Sequence, residues 1–198
     1  APWRGTWAQD GGCLMNQCIH GIDLLRWMLG GAIDQVYGVT RRQFHGYLEC
    51  EDIGMAVVSF KNGAVGTIEG TTNVYPQNLE ETLCLFGERG TVKLGGTSVN
   101  HIDVWKFADT WEADAKNAGL REATSNVYGN GHTALYADMI EAIRHNCAPY
   151  VDAAAGRDAL ELVLAVYQSS FTGQPVKLPL EDVSSIQFQG MFPVSWAM

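Results

Sequence analysis

Residues 11–27 read GGCLMNQCIHGIDLLRW, two glycines followed by an amphipathic helical pattern with polar side chains on one face. Positions three and four apart share a face of an α-helix, because each residue turns the chain by about 100°. One stripe therefore holds Asn16, His20, Asp23 and Trp27. An amide, an imidazole and a carboxylate in one row suit a small polar substrate better than a hydrophobic core. The pattern predicts a helix over residues 13–29, stopped by Gly30 and Gly31.

The polar stripe alone leaves two interpretations open. A helical His is most often a surface group or a satisfied core residue, and Asp23 could simply hydrogen-bond to a neighbouring element. The residues upstream favour a ligand site, because two glycines let a backbone approach a ligand closely. Trp3, Arg4 and Trp7 add aromatic rings and a guanidinium, which suit flat or anionic ligand groups.

We predict His20 and Asn16 as the catalytic residues. A neutral imidazole near pH 7 is the natural group to take a proton from an alcohol, and an amide one turn away can fix the orientation of that hydroxyl. Asp23 could orient the imidazole or hold the helix in place. The predicted substrate-binding residues are Trp3, Arg4, Gly12, Asp23 and His132. His132 ranks below His20, because a His that opens a helix more often only caps or packs.

Composition restricts the classes of function. The 198 residues include 46% hydrophobic and 18% charged residues, which is typical of a globular protein with one domain or slightly more. A formal net charge of -9 argues against nucleic acid and anionic membranes as partners. Five cysteines without a Cys-x-x-Cys pair favour reduced thiols and a cytoplasmic location, and no apolar run reaches transmembrane length. The first residue is Ala1 rather than Met, which predicts a piece of a longer protein.

The order of the predicted elements favours an α+β fold, an open and mostly antiparallel sheet with helices on one face. Asn62-Gly63 is a strong hairpin signal. The predicted strands cover 33–46, 53–60, 64–72, 81–87, 91–94 and 101–107, and two helices follow over 132–146 and 156–171. The strands carry enough apolar side chains that we expect a second copy of the chain to cover the open sheet face, in a dimer or tetramer.

Several common catalytic motifs are missing from the sequence. No dinucleotide-binding Gly-x-Gly-x-x-Gly, no phosphate-binding loop and no Gly-x-Ser-x-Gly elbow occurs. His101 and Asp103 would share one side of a strand, but a third ligand at a fixed spacing is missing, so we predict no metal site.

The pattern Gly-Gly-x-x-x-Asn-x-x-x-His-x-x-Asp-Leu-Leu-Arg-Trp at 11–27 resembles the substrate-domain signature of the Gfo/Idh/MocA oxidoreductases. The segments AGRDALE, at 155–161, and SSFTGQPV, at 169–176, are similar to the end of that domain. Both matches stand in the family's order, so the resemblance covers essentially the whole chain.

The resemblance implies a two-domain enzyme. In that family an N-terminal Rossmann domain binds NAD or NADP, and a C-terminal domain, similar in fold to that of glyceraldehyde-3-phosphate dehydrogenase, carries the substrate and the oligomer interface. Residues 1–198 resemble the second domain only, without its first strand. The Rossmann domain and the family's Glu-Lys-Pro segment, whose lysine contacts the reacting hydroxyl, are not in this sequence. We therefore expect this chain alone to be inactive and to bind no NAD detectably.

One departure from the common pattern implies a branch of the family. Most members have Asp where this chain has Asn16, and Asn together with PWRGTW, at 2–7, resembles the branch that oxidises C3 of UDP-linked N-acetylhexosaminuronates. The substrate would then be an anionic sugar nucleotide, with Arg4 as a partner for it. By this resemblance a hydride passes from the sugar carbon to the nicotinamide. His20 acts as base or proton relay and shares the hydroxyl with the absent lysine.

Two other functions remain open at this level. The chain could be a stand-alone, non-catalytic module for sugar binding or oligomerisation. It could also be a dehydratase or a glycosidase-like hydrolase with bound NAD on the same scaffold. The latter needs a paired acid–base set of carboxylates, and the polar stripe offers only Asp23.

Overall fold

The protein is described by a computed structural model that covers residues 2–109, 117, 119–123 and 130–193. The chain divides into two compact units. Unit 1 combines Ala1–Val74 with Ala153–Met198, and unit 2 is Tyr75–Asp152. The helices are α1 (Ile19–Met28), α2 (His132–His145) and α3 (Ala153–Thr172). The strands are β1 (Ile33–Arg41), β2 (Ile53–Phe60), β3 (Val65–Thr71), β4 (Leu83–Gly87), β5 (Gly90–Gly95), β6 (His101–Phe107) and β7 (Val176–Lys177).

The first helix of unit 1 begins with a wide turn. Leu14–Cys18 is π-helical and runs directly into α1. The helix ends at Leu29, where Gly30 and Gly31 adopt positive φ angles of 91° and 82°. The predicted helix and its glycine stop are confirmed, whereas the π-helical start departs from the regular period on which the polar stripe was based.

Unit 1 contains a four-stranded antiparallel sheet in the order β3-β2-β1-β7. The Asn62-Gly63 hairpin joins β2 and β3 as predicted, with the Phe60 N–H donating to the Ala64 carbonyl. β1 is shorter than the predicted strand over 33–46. It ends at Arg41 because the buried Asp52 carboxylate accepts the backbone N–H groups that follow it.

The inner face of this sheet carries small residues where helices approach it. A Cβ added at Gly38 of β1 would lie 2.7 Å from Val166 Cγ1 in α3. Gly70 of β3 is similarly close to Cys18, with 2.6 Å between the added Cβ and Sγ. The lack of side chains on the strands therefore lets α3 and the π-helical turn pack closely on the sheet.

Two serines of α3 complete the edge of β1 that the short β7 leaves unpaired. The Gly38 N–H donates to Ser169 Oγ at 2.9 Å, and the Thr40 N–H donates to Ser170 Oγ at 2.8 Å. Ser169 Oγ also donates to the Gln174 carbonyl at 2.7 Å, which fixes the chain just before β7. Buried backbone donors need such partners, so these hydroxyls take the place of a strand.

A buried arginine joins the two helices of unit 1. Arg26 in α1 is 9% exposed, and its guanidinium lies 3.2 Å from Asp23 Oδ1 and 3.1 Å from Asp158 Oδ2 in α3. The segments 155–161 and 169–176 therefore owe part of their pattern to the docking of α3 on α1 and β1.

Unit 2 contains a three-stranded antiparallel sheet in the order β4-β5-β6, together with α2. The predicted loop over 109–130 lies largely outside the described residues. The α+β class with antiparallel strands is confirmed, but the strands form two sheets rather than one. No helix of the described residues is long and apolar enough to cross a membrane.

The outer face of the unit 1 sheet is apolar and exposed. Facing pairs in the strand register put Tyr37 beside Val57 and Val39 beside Met55, each between 41% and 55% exposed. Exposed apolar side chains that lie side by side in this way are typical of an interaction site.

Candidate functional site

The glycine pair at 11 and 12 forms part of a cavity of about 220 Å³ in unit 1. Its walls come from the N-terminal segment, the π-helical turn and the chain between β1 and β2. The described lining residues are Arg4, Gly5, Asp10, Gly11, Gly12, Cys13, Asn16, Gln17, His45, Tyr47, Leu48, Glu51 and Thr72. A cation, an imidazole, two acids and two side-chain amides thus converge on a space suited to a single sugar ring.

A second cavity of about 300 Å³ in unit 1 is chemically poorer. Leu160, Leu164 and Met15 contribute to its lining, and Asp10 is its one titratable residue among those described. Asp10 already accepts hydrogen bonds from other groups. The first cavity is therefore the better candidate site.

Glu51 links the cavity to three parts of unit 1. Its side chain is fully buried, and Oε1 accepts the Leu14 N–H at 2.8 Å and the Tyr167 hydroxyl at 2.8 Å. Oε2 has no hydrogen-bond partner among the described residues. It lies where a side chain at position 12 would be, since a Cβ on Gly12 would come within 1.7 Å of it. Glycine at position 12 is therefore required by this carboxyl group.

Burial raises the pKa of Glu51 to about 7, although hydrogen bonds from the Leu14 N–H and the Tyr167 hydroxyl act in the opposite direction. The pKa of Tyr167 is also raised, by burial first and by the neighbouring Glu51 second. The carboxyl group is therefore poised to change its protonation state near neutral pH.

Asp52, the next residue, behaves differently. Burial acts to raise its pKa, but hydrogen bonds from the backbone N–H groups of His45, Phe44 and Gln43 outweigh burial and lower the pKa. The three N···O distances lie between 2.7 and 2.9 Å. Asp52 is therefore a stable buried anion, and its Oδ2 lies 3.2 Å from Nδ1 of His45, which lines the cavity.

Asn16 is held at the cavity by Asp10. The Asn16 side-chain amide donates to Asp10 Oδ1 at 2.5 Å, and the Gly5 N–H donates to Asp10 Oδ2 at 2.6 Å. The Gln17 side-chain amide also donates to Asn16 Oδ1. This network fixes the amide of Asn16 and joins the N-terminal segment to the π-helical turn.

Arg4 presents a cation to the cavity. Its guanidinium carbon lies 5.3 Å from the ring centroid of Trp3, within cation–π range. No ion pair of Arg4 occurs among the described residues. An anionic ligand in the cavity would therefore meet a positive charge that is not neutralised by a carboxylate.

The structure places three of the predicted site residues, Arg4, Gly12 and Asn16, together in the cavity wall. His20 is exposed on α1 and is not among the described lining residues. Asn16 belongs to the π-helical turn, and His20 lies about one turn further on, in the first turn of α1.

The remaining predicted residues have other surroundings. Asp23 pairs with Arg26, which is the helix-holding role that the sequence left open. Trp3 is 42% exposed and lies under Arg4. Trp7, proposed from sequence as a ring for ligands, is 1% exposed and packs edge-on against Tyr167, so it belongs to the core. His132 is exposed at the start of α2, in unit 2.

Sequence reasoning missed Asp10, His45, Glu51 and Asp52. The adjacent acids just before a strand are the signal that could have found the last two, because acids at the border of a buried strand need partners. His45 carries no local pattern. It reaches the cavity because Asp52 turns the chain back after β1.

The cavity is small. Its volume of about 220 Å³, below the roughly 300–1,000 Å³ of typical ligand pockets, suits one sugar ring and not a whole dinucleotide or sugar nucleotide. No cluster of three or more His, Cys, Asp or Glu side chains suited to a metal occurs in the described part of the chain.

Comparison with known proteins identifies relatives of this chain. The chain matches, over residues 1–178, a family model described as oxidoreductase family, C-terminal alpha/beta domain. The WlbA dehydrogenase from Bordetella pertussis, crystallised with NADH and UDP-GlcNAcA, is 40% identical with a TM-score of 0.79, over 91% of this chain and 52% of that one.

Two further proteins are similar to this chain over about the same share of its length. The WlbA dehydrogenase from Chromobacterium violaceum, with the same two ligands, is 37% identical with a TM-score of 0.79, over 91% of this chain and 50% of that one. The uncharacterized oxidoreductase YrbE of Bacillus subtilis (strain 168) is 25% identical over 185 residues, which are 90% of this chain and 51% of that protein. The chain thus spans about half the length of the relatives it matches.

Proposed function

Because the chain belongs to the Gfo/Idh/MocA oxidoreductase family, as a C-terminal alpha/beta domain, we propose that it is the substrate domain of a nicotinamide-dependent sugar-nucleotide dehydrogenase. The observation that carries the proposal is the small polar cavity at Gly12 and Asn16, in a chain 40% identical to a dehydrogenase crystallised with UDP-GlcNAcA. The reaction is oxidation of a ring hydroxyl of a UDP-linked N-acetyl sugar, with C3 favoured.

Arg4 supports an acidic substrate. A uronate carboxylate or a diphosphate would meet the guanidinium at the cavity, where the described residues offer it no competing carboxylate partner. Trp3 supports the guanidinium from its other side. Asp23 and His132 remain predictions as substrate-binding residues, and neither is among the described residues that line the cavity.

Asn16 and His20 have separate roles at the reacting hydroxyl, orientation and proton transfer. Asn16 is fixed by Asp10, so its amide orients the sugar in the cavity. His20 is exposed on α1 and is therefore free to take the hydroxyl proton, alone or with a lysine of the dinucleotide-binding domain. The nicotinamide, NAD or NADP, is held by that other domain and accepts the hydride.

The proposal includes assembly and location. The apolar outer face of the unit 1 sheet supports a dimer or tetramer of the complete protein. None of the five cysteines, all of which the structure describes, forms a disulfide bond, which is in keeping with a reducing cytoplasm.

The test is the formation of reduced nicotinamide by the complete protein with UDP-GlcNAcA, UDP-GlcNAc and neutral free sugars. We expect turnover of the acidic sugar nucleotide. His20→Ala should lower kcat by about 10²- to 10⁴-fold while the substrate Kd changes little. The matched control is His145→Ala, an exposed imidazole of α2. Wild-type turnover by the His20 variant would remove His20 from the mechanism, and no turnover of any sugar would contradict the proposed function.

Binding measurements on residues 1–198 alone test whether the cofactor binds to this domain. We expect calorimetry to detect UDP-GlcNAcA binding by the chain and no NAD binding. Tight NAD binding by residues 1–198 would contradict the assignment of the cofactor to another domain.

A further inference from the structure

His45 and Asp52 form a held imidazole at the cavity that the proposed function has not used. Asp52 is fully buried, and its Oδ2 lies 3.2 Å from Nδ1 of His45. The His45 side chain is 30% exposed and lines the cavity. The ring of Tyr47 packs edge-on against the imidazole, with 5.6 Å between centroids, so the ring plane is held from a second side.

The protonation of this pair follows from its partners. Three backbone N–H groups keep Asp52 ionised, and a carboxylate without a proton can only accept. Nδ1 of His45 must therefore carry the proton that is shared with Asp52. In the neutral imidazole, Nε2 is then left with a lone pair and acts as a hydrogen-bond acceptor. Asp52 thus sets both the tautomer and the orientation of the ring.

Most other acceptor oxygens at the cavity are already used. Asp10 accepts from Gly5 and Asn16, and Oε1 of Glu51 accepts from Leu14 and Tyr167. Oε2 of Glu51 has no partner among the described residues, but it is buried against Gly12. The cavity therefore offers a ligand one unpaired cation, Arg4, and, with His45 in its neutral form, one oriented acceptor. That combination fits a sugar acid, which carries hydroxyl donors next to an anionic group.

We propose that His45 is a specificity-determining residue whose Nε2 accepts a hydrogen bond from a hydroxyl of the substrate, with Asp52 as its positioning residue. This inference rests on the proposed function and identifies a contact in the same cavity that neither the motif residues nor the relatives assign. The hydroxyl belongs either to the sugar ring or to the ribose of the nucleotide.

Two substitutions separate a ligand contact from a merely structural role. His45→Asn keeps an N–H near the Nδ1 position, and so keeps a donor to Asp52, but removes the acceptor on the cavity side. His45→Gln reaches the Nε2 position with a carbonyl oxygen and loses the link to Asp52. A ligand contact predicts weaker binding by His45→Asn and partial recovery by His45→Gln. A structural role predicts the reverse order.

The measurement is the Kd of the complete protein for UDP-GlcNAcA and for UDP, with thermal unfolding as the check on folding. We expect His45→Asn to weaken UDP-GlcNAcA binding by about three- to tenfold, the effect of one neutral hydrogen bond. The control is His145→Asn, in α2. Weakening for UDP-GlcNAcA alone assigns the sugar hydroxyl, and equal weakening for UDP assigns the ribose.

Wild-type affinity of His45→Asn for both ligands would overturn the inference and leave the proposed function intact. The reverse order of the two variants would overturn it as well. Failure of the wild-type protein to bind either ligand would instead contradict the proposed function, and the inference would fall with it.

Discussion

At the scale of single residues, Glu51 is held between two opposing effects. Burial disfavours the charged carboxylate, whereas the Leu14 N–H and the Tyr167 hydroxyl favour it. Burial outweighs the hydrogen bonds and leaves the pKa at about 7, well above the ordinary value of 4.5. The folded state therefore binds a proton more tightly than the unfolded state, and this proton links stability to pH.

The free energy of unfolding should fall as the pH rises from about 4.5 to about 7. The contribution of protonated Glu51 is complete below about pH 4.5 and is lost as the pH rises through about 7. Relative to Glu51→Gln, which stays neutral, the wild-type free energy of unfolding should drop by about 3 kcal/mol between pH 4.5 and 7.5. Urea titrations at both pH values measure the difference. If the free energies of unfolding of the wild type and of Glu51→Gln differ by the same amount at both pH values, the raised pKa is contradicted.

Gly12 is a second residue on which the site depends. A Cβ there would lie 1.7 Å from Glu51 Oε2 and 2.6 Å from the Glu51 carbonyl oxygen. The carbonyl oxygen belongs to the backbone and cannot easily move away, so the clash would remain. We expect Gly12→Ala to lower the free energy of unfolding by about 3 kcal/mol, the upper end for an overpacked site. Gly46→Ala is the control, since a Cβ at Gly46 would meet nothing within 4 Å. Equal stability of the two variants in chemical denaturation would show that Glu51 can move aside.

At the scale of elements, periodicity located the first helix but not its internal geometry. Apolar spacing and the two glycines after it fix where the helix begins and ends. The π-helical turn at Leu14–Cys18 is set by tertiary contacts, chiefly the Leu14 N–H bound to Glu51 and the glycines of β3 that admit the turn. Those contacts come from distant parts of the chain, so the local pattern could not predict the π-helical winding around Asn16.

The difference between local patterns and distant contacts also explains which site residues could be predicted from the sequence. Arg4, Gly12 and Asn16 belong to a recognisable motif, and the structure brings them to one cavity. His45 and Glu51 depend on a chain reversal after β1 and on a hydroxyl from α3, 116 residues beyond Glu51. No local spacing encodes a contact of that kind.

The junction of α3 with β1 offers a test at this scale. Ser169 Oγ accepts the buried Gly38 N–H and donates to the Gln174 carbonyl, so Ser169→Ala leaves both groups without a partner. We expect a loss of about 1–3 kcal/mol in the free energy of unfolding. Ser184→Ala, at an exposed position, should be nearly neutral. Denaturant melts that show no difference between the two variants would mean that solvent or a neighbour replaces the hydroxyl.

At the scale of the whole molecule, hairpin signals and apolar alternation predicted the antiparallel α+β class correctly. They did not predict that the strands divide into a four-stranded and a three-stranded sheet. Strand patterns specify faces and hairpin partners, whereas the choice between one sheet and two depends on which edges meet through longer connections. That information is non-local.

The exposed apolar face of the unit 1 sheet carries the prediction about assembly. Val57 lies on the inner strand β2, is 55% exposed, and faces Tyr37 of β1 and Thr67 of β3. If a second copy covers this face, Val57→Lys should shift the complete protein toward the monomer in analytical ultracentrifugation. Phe86→Lys, at an 82% exposed position of unit 2, is the matched control. An unchanged assembly with Val57→Lys would place the interface elsewhere.

The make-up of the cavity wall has a consequence for protein engineering. Every described residue that lines the cavity lies between positions 4 and 72, so one continuous block of sequence forms the described cavity wall. Exchanging that block between relatives should transplant substrate preference as a cassette. The chimera must keep Tyr at position 167, because that hydroxyl contacts Glu51 from outside the block. If the cavity binds the substrate, its specificity can be exchanged as one segment, which a site assembled from scattered loops does not allow.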